Sequence, residues 1–182
     1  MKITPLAIPD VLLIEPRVFR DSRGYFFESY NQEKFEKITG LKTKWVQDNE
    51  SKSTYGVLRG LHFQKPPIAQ AKLVRVIQGK VLDVAVDIRP DSTTFGQHVS
   101  MVLSARNKKQ LFIPRGFAHG FAVLSKTAIF SYKCDNFYSP EHDGGIQHND
   151  KALDIDWMLS SSDKVLSVKD SKLPKLTRDT FK

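Results

Sequence analysis

The segment GVLRGLHFQ, residues 56–64, places a permanent cation and a titratable base among residues that are typical of a buried strand. Arg59 and His62 lie three positions apart in this segment. Because an unperturbed imidazole has a pKa near neutrality, His62 is a candidate general base. The segment therefore indicates acid–base chemistry rather than packing alone.

Lys72 and Tyr132 are the next candidates for acid–base chemistry. Lys72 is the odd charge in a strand-like run, and the alternative is an ammonium group that reaches solvent at a sheet edge. Tyr132 shares a predicted strand face with Ala128 and Phe130, so its side chain is expected to point toward the core. A buried tyrosine usually packs and makes one hydrogen bond, and a general acid is the alternative.

The segment PRGFAHGF, residues 114–121, contains His119 in the spacing P-x-G-x-x-H, which is typical of the β-helix barrels called cupins. Many cupins hold a metal, and such a site needs His-x-His followed by a glutamate in the earlier motif. Here that motif is H-F-Q at 62–64 followed by K-P-P at 65–67, without a ligating carboxylate. One imidazole per motif is too few for a typical zinc or non-haem iron site, so no metal is expected.

Short runs rich in Val, Ile, Phe and Tyr recur along the chain and are separated by turn residues. They cover residues 11–19, 24–30, 72–88, 98–103, 111–114, 119–124 and 127–134. Within 72–88, Gln78-Gly79 is interpreted as a hairpin turn. Alternation there places Lys72, Val74 and Val76 on one strand face.

The predicted helix covers residues 31–38, with Asn31 as its N-cap, Phe35 and Ile38 on one side, and Gly40 at its end. From Tyr138 onward the alternation is lost, which indicates loops and short helices laid over a barrel. Many short strands with little helix predict an all-β sandwich or barrel. We expect one domain that covers residues 1–182.

The composition is that of a globular protein, with 40% hydrophobic and 26% charged residues among 182. The net charge of +8 is not concentrated in one segment, which argues against a nucleic-acid partner and suits an anionic small ligand. Neither a signal-peptide core nor a membrane-spanning run is expected. The single cysteine, Cys134, fits a reducing cytoplasm and is interpreted as a buried, inert thiol.

Several long segments together resemble the dTDP-4-dehydrorhamnose 3,5-epimerases, from about residue 3 to residue 176. They are FRDSRGYFFESY (19–30), WVQDNESKSTYGVLRGLHFQKPP (45–67), AKLVRVIQGKVLDVAVDIRPDS (71–92), FIPRGFAHGF (112–121), YKCDNFYSPEHDGGI (132–146) and LSVKDSKLP (166–174). The resemblance implies a cupin-like double-stranded β-helix, or jelly-roll barrel. It also implies a cytoplasmic enzyme of dTDP-rhamnose synthesis that needs no cofactor.

The resemblance implies a role for individual residues. His62 matches the base, Asp170 the carboxylate that orients it, Tyr132 the acid on the opposite face, and Lys72 the cation at the enolate oxygen. The residues that match substrate contacts are Arg23, Glu28, Gln47, Asn49, Arg59, His119, Tyr138 (a stacking surface for thymine), Asp143 and Lys169. The family forms homodimers with exchanged N-terminal strands, so Arg23 and Glu28 are expected to serve the neighbouring subunit's site.

The implied reaction inverts C3 and C5 of a dTDP-4-dehydro-6-deoxy sugar by proton abstraction alpha to the C4 ketone. The alternatives are a C3-only epimerase, a nucleotide-sugar-binding cupin without catalysis, and a metal-dependent cupin oxygenase. In this reading Arg59 and His62 face one cavity, although strict alternation would separate them. We therefore predict a bulge or a strand break near Gly60.

Two residues depart from the family pattern. Asp143 stands where glutamate is more frequent, which shortens a contact by one methylene, and His148 stands where tryptophan is common. Neither departure affects the base, the acid or the lysine.

Overall fold

The computed structural model describes residues 1–182 and consists mainly of antiparallel strands. The strands are β1 (Lys2–Pro5), β2 (Leu12–Glu15), β3 (Phe19–Asp21), β4 (Gly24–Phe26), β5 (Gln47–Thr54), β6 (Leu58–Gln64), β7 (Lys72–Gln78), β8 (Lys80–Asp87), β9 (His98–Ser104), β10 (Gln110–Ile113), β11 (Phe117–Val123), β12 (Thr127–Cys134) and β13 (Asp143–Gly145). The helix α1 spans Gln32–Thr39, and short 3₁₀ helices span Pro140–His142, Ser161–Asp163 and Asp170–Lys172. No helix is long and apolar enough to cross a membrane.

Two sheets form the walls of the barrel. One has the strand order β1-β2-β10-β7-β12-β5, and the other has the order β13-β6-β11-β8-β9. Val76, Val81, Phe121 and Phe130, which come from both sheets, belong to one buried cluster between them. This arrangement confirms the predicted all-β fold of the jelly-roll type. A third, two-stranded sheet consists of β3 and β4.

The predicted hairpin at Gln78-Gly79 is wrong. Gly79 does adopt a positive φ of 79°, but β7 lies in the six-stranded sheet and β8 in the five-stranded sheet. The turn therefore carries the chain from one wall to the other. Alternation could not reveal this, because it reports which residues are buried and not which strand is the hydrogen-bonded neighbour. The predicted inward face of β7 is confirmed, since Val74 and Val76 lie in the core.

The helix α1 begins and ends where its capping residues predict. The Asn31 side chain accepts a hydrogen bond from Lys34 N, and Gly40 closes the helix with a φ of 72°. Phe35 is fully buried and packs against Phe112 on the outside of the six-stranded sheet. Ile38, predicted to share that side, is instead exposed.

The sequence patterns miss β5, whose segment QDNESKST contains no apolar residue. This strand is the edge of the six-stranded sheet and pairs with β12 along its whole length. Its polar residues alternate between solvent and the interior, so the strand lines a cavity instead of filling a core. The segment after Tyr138 consists of loops and short helices, as predicted, except for the strand β13, which pairs with β6. Its Leu153 and Trp157 pack on the outside of the five-stranded sheet.

The predicted bulge near Gly60 is confirmed. His62 pairs with His119 and Arg59 pairs with Phe121, so two residues of β6 oppose the single Gly120 of β11. The extra residue reverses the alternation in β6, and Arg59 and His62 consequently line the same cavity. On the other side, Leu58, Leu61 and Phe63 all belong to the outer apolar cluster.

Substituting Gly60 tests this bulge. Gly60 has a φ of 113°, and an added Cβ would lie 2.6 Å from His119 O and 2.7 Å from Gly120 Cα. Gly60→Ala is expected to lower the free energy of unfolding by roughly 2–4 kcal/mol, since backbone strain and a backbone clash add. Denaturant unfolding measures the change.

The matched control is Gly40→Ala, at a glycine with a φ of 72° and no atom within 4 Å of its added Cβ. This variant bears the cost of the left-handed conformation alone, roughly 1–2 kcal/mol. Equal losses of unfolding free energy in the two variants would show that the close approach of β11 to Gly60 adds nothing to the cost of Gly60→Ala.

Candidate active site

A cavity of about 610 Å³ opens between the two sheets. Its lining includes most of the residues that the sequence predicted for a site. They are His62, Tyr132, Asp170, Lys72, Gln47, Asn49, Arg59, His119, Tyr138, Asp143 and Lys169. The fold thus brings together side chains that lie more than 100 positions apart in the sequence.

His62 and Asp170 form a hydrogen-bonded pair. Nε2 of His62 lies 2.7 Å from Oδ1 of Asp170, which is 4% exposed. A neutral imidazole that donates from Nε2 keeps Nδ1 free to accept a proton. Burial lowers the pKa of His62, while the charge and hydrogen bond of Asp170 act in the opposite direction. His62 is therefore neutral at physiological pH, as a base must be.

Asp170 reaches His62 because the preceding segment is fixed to β6. Val165 N donates to Gly56 O at 2.9 Å, and Leu58 N donates to Val165 O at 3.0 Å. Gly56 permits this approach, because an added Cβ would lie 2.0 Å from the carbonyl oxygen of residue 163. The carboxylate also accepts Gly60 N–H at 3.4 Å, so the bulge contributes to its placement.

Lys72 is a buried cation without a carboxylate partner. It is 9% exposed and lies on β7, a central strand, which excludes the alternative of a lysine at a sheet edge. Its Nζ donates only to His62 O, at 3.4 Å, and lies 6.0 Å from the centre of the Tyr132 ring. Burial lowers the pKa of Lys72. An ammonium group in this position is available to an oxygen of a bound ligand.

Tyr132 faces His62 from the opposite wall. It lies on β12 in the six-stranded sheet, whereas His62 lies on β6 in the five-stranded sheet. Its ring packs beside Phe130, as the strand pattern predicts. Burial raises the pKa of Tyr132, so the phenol keeps its proton at neutral pH. A neutral imidazole and a protonated phenol therefore stand on facing walls of one cavity.

The cavity mouth carries charged and aromatic groups. Lys169 forms an ion pair with Asp143, and this contact raises the pKa of Lys169. The Tyr138 hydroxyl donates to Asp143 Oδ2 at 3.4 Å, and its ring is half exposed. Arg59 donates from Nε to Ser53 Oγ at 3.2 Å and forms no salt bridge. Asp143 is one methylene shorter than the glutamate that is more frequent at this position, yet it still contacts Lys169 across the mouth.

Sequence reasoning missed Asp83, which forms a second histidine–carboxylate pair. Nε2 of His119 lies 3.0 Å from Asp83 Oδ2, and the Asp83 carboxylate is fully buried with Oδ1 unpartnered. The His119 ring also stacks near Phe130, 5.9 Å away. The available signal was an aspartate in the apolar run VLDVAV, where a charge needs a partner.

Cys134 also lines the cavity, beside Lys72 in the strand register. Burial raises the pKa of its thiol to about 11, so the thiol remains protonated at neutral pH. The predicted burial of Cys134 is confirmed. Its place in the cavity wall was not predicted.

Arg23 and Glu28 lie outside this cavity. Arg23 pairs with Asp21 in the β3–β4 hairpin, and Glu28 contacts Lys34 and Asn31 near the start of α1. The hairpin also exposes a set of aromatic rings, namely Phe19, Tyr25 and Phe26. Within one chain, these two predicted contacts are not part of the site.

His148 packs near Trp157 at the outer cluster and does not line the cavity. Burial lowers the pKa of His148. No group of three or more His, Cys, Asp or Glu side chains lies close enough together to hold a metal ion. Each cavity histidine is instead hydrogen-bonded to a single carboxylate.

Comparisons with known proteins agree with this geometry. A family model described as dTDP-4-dehydrorhamnose 3,5-epimerase matches residues 5–178. A dTDP-4-dehydrorhamnose 3,5-epimerase of Salmonella typhimurium is 57% identical over 176 residues, which cover 97% of this chain and 96% of the relative.

Two solved structures share the fold. The dTDP-4-dehydrorhamnose 3,5-epimerase of Elizabethkingia anophelis superposes with a TM-score of 0.95 at 55% identity, covering 100% of this chain and 99% of its own. A dTDP-6-deoxy-D-glucose-3,5-epimerase of Legionella pneumophila, solved with dTDP-4-keto-L-rhamnose, gives a TM-score of 0.93 at 47% identity, covering 96% and 92%. The chain belongs to the dTDP-4-dehydrorhamnose 3,5-epimerase family.

Proposed function

We propose that this protein epimerises dTDP-4-dehydro-6-deoxy-α-D-glucose at C3 and C5, giving dTDP-4-dehydro-β-L-rhamnose for dTDP-rhamnose synthesis. The observation that carries the proposal is the pairing of His62–Asp170 on one wall with Tyr132 on the other. Inversion at carbon requires a proton to leave from one face and to return on the other. A protein that only binds a nucleotide sugar has no need for such a pair.

The mechanism follows from the acidity of protons next to a ketone. Nδ1 of His62 takes the proton from C3 or C5, and the electrons of the broken bond delocalise onto the C4 oxygen. Lys72 stabilises the resulting enolate oxygen, a contribution that typically is worth about 2.7–4 kcal/mol. The Tyr132 hydroxyl then returns a proton to the opposite face of the same carbon.

The catalytic groups must be restored after each inversion. His62 releases its proton, with the imidazolium stabilised by Asp170 until it does so. Tyr132 regains a proton from solvent. The sum of these steps moves no electrons between substrate and protein, so the reaction needs no redox cofactor.

The remaining cavity residues are assigned to the nucleotide and the sugar. The Tyr138 ring offers a stacking surface for thymine, while Arg59 and Lys169 supply positive charge for the diphosphate. The polar side chains proposed to complete the contacts are Gln47, Asn49, His119 and Asp143. We assign the whole chain, residues 1–182, to one catalytic domain that works in the cytoplasm.

We further propose that the active form is a homodimer with exchanged N-terminal strands. The exposed aromatic rings of the β3–β4 hairpin, with Phe26 at 68% exposure, form a surface that association would bury. The unpaired edge of β5 lies beside the cavity residues Gln47 and Asn49 and is open to a neighbouring strand. In such a dimer, Arg23 and Glu28 complete the partner's site.

Solvent deuterium incorporation tests the reaction. In D₂O the protein is expected to place deuterium at both C3 and C5 of the substrate, as read by NMR and mass spectrometry. His62→Ala and Lys72→Ala should each reduce exchange by roughly 10²–10⁴-fold with the fold intact, because each removes a positioned group.

Circular dichroism of both variants controls for folding. Label at C3 alone would instead make the protein a C3-only epimerase with the same base and acid. If neither carbon exchanges, the protein binds the nucleotide sugar without catalysis. If either variant exchanges deuterium at nearly the wild-type rate, the substituted residue has no part in the mechanism.

The pH profile tests the state of His62. Because burial lowers the pKa of His62 from the ordinary value of a histidine, the acidic limb of kcat/KM, where the base becomes protonated, is expected at a lower pH than for a free imidazole. Asp170→Asn removes the negative charge that raises this pKa, while its amide oxygen can still accept from Nε2, so the limb should move to still lower pH while the plateau falls. Imidazole NMR titration of the two proteins provides an independent measurement, and an upward shift in the variant would contradict the assignment.

Mixed dimers test the strand exchange. His62→Ala and Arg23→Ala chains are each expected to turn over limiting substrate poorly when alone. After co-refolding, heterodimers contain one site with His62 from one chain and Arg23 from the other, so activity should rise above that of either parent. A mixture no more active than its parents would place Arg23 in its own chain's site or in none.

A further inference from the structure

Gln64 is a buried polar residue of the cavity wall to which the proposed mechanism assigns no role. It lies at the end of β6, lines the cavity together with Arg59 and His62, and is 4% exposed. In the metal-binding motif considered above, the second imidazole would occupy this position. A carboxamide there offers an acceptor oxygen and two donor hydrogens.

The oxygen of Gln64 holds the loop that follows β12. Oε1 accepts a hydrogen bond from Ser139 N at 2.9 Å, and the preceding amide, Tyr138 N, donates to Gln47 Oε1 at 3.1 Å. Gln47 and Gln64 belong to different sheets. Two consecutive amides of this loop are therefore attached to opposite walls, which fixes Tyr138 at the cavity mouth.

The amide nitrogen of Gln64 differs from those of the other two cavity glutamines. Nε2 of Gln47 donates to Asn49 Oδ1 at 3.0 Å, and Nε2 of Gln70 donates to Asn136 O at 2.8 Å. Nε2 of Gln64 has no hydrogen-bond partner within the protein and keeps contact with the cavity. Polar groups in buried positions are normally satisfied, so this donor is available to a ligand.

The neighbouring carboxylate does not accept from this donor. Asp143 is the cross-strand partner of Gln64, but its Oδ2 is engaged by Lys169 and by the Tyr138 hydroxyl. No protein group accepts from Nε2 of Gln64, so a bound substrate can supply the acceptor. Gln64 lies between His62 and Tyr138 along the cavity. It is therefore placed between the proposed sites of the sugar and of the thymine ring.

We infer that Gln64 is a substrate-binding residue whose Nε2 donates to an oxygen of the nucleotide part of the substrate, while its Oε1 holds the Tyr138 loop. The inference rests on the proposed function, since it takes a dTDP-sugar as the ligand. One side chain then links the nucleotide to the strand that carries the catalytic base.

Titration of dTDP by calorimetry at pH 8 tests the inference. Gln64→Glu retains an oxygen that can accept from Ser139 N but removes the donor and adds a negative charge. We expect its Kd for dTDP to rise by about tenfold or more. Gln64→Met removes both the donor and the oxygen that accepts from Ser139 N, without adding charge, and we expect a rise of roughly 3–10-fold.

Gln70→Glu is the matched control, since Gln70 lines the same cavity and its amide nitrogen already has a protein partner. A smaller rise in Kd for this variant supports a specific hydrogen bond at Gln64. A Kd of Gln64→Glu within about twofold of wild type, or an equal rise in Gln70→Glu, would overturn the inference.

Repeating the titrations with thymidine locates the oxygen. A matching loss of thymidine affinity assigns it to the nucleoside, and a loss confined to dTDP assigns it to the diphosphate. Failure of the wild-type protein to exchange deuterium would refute the proposed reaction, yet the dTDP titrations would still decide the role of Gln64.

Discussion

The bulge in β6 is the local constraint on which the site depends. A regular strand would direct either Arg59 or His62 into the outer apolar cluster, where an unpaired charge or imidazole is costly. The two-against-one pairing at Gly120 allows both side chains to face the cavity and keeps Leu61 outside it. Gly60, within the bulge, also donates its N–H to Asp170. One irregular residue thus determines both the orientation of the base and part of the support for its carboxylate.

The C-terminal third of the chain completes the site from outside the barrel. Backbone hydrogen bonds at Val165 attach it to β6. Two consecutive residues, Lys169 and Asp170, then reach the cavity and make different contacts there. Asp170 is hydrogen-bonded to His62, while Lys169 crosses the mouth to Asp143. The Ser167 side chain also holds this segment, since its Oγ accepts a hydrogen bond from Asp170 N.

The sequence predicts this protein well where a local rule decides the outcome. The caps of α1 and the inward face of β7 follow from residue type and alternation. The bulge at Gly60 follows from alternation together with the family resemblance, which places Arg59 and His62 at one cavity. The sheet assignment of β7 and β8 could not be predicted, because alternation contains no information about pairing partners. The strand β5 could not be predicted because its segment contains no apolar residue. The pairing of Asp83 with His119 was also missed, since only the fold places their strands, β8 and β11, side by side.

The division of His62 and Tyr132 between two sheets has a consequence for the residues between them. The separation between His62 and Tyr132 depends on the distance between the two sheets, and Val76, Phe121 and Phe130 fill the space between these sheets. A substitution that swells or thins this layer alters the gap in which a flat enolate must fit, even where the protein remains folded. Under the proposed mechanism, the apolar residues that separate the two sheets therefore affect turnover as well as stability.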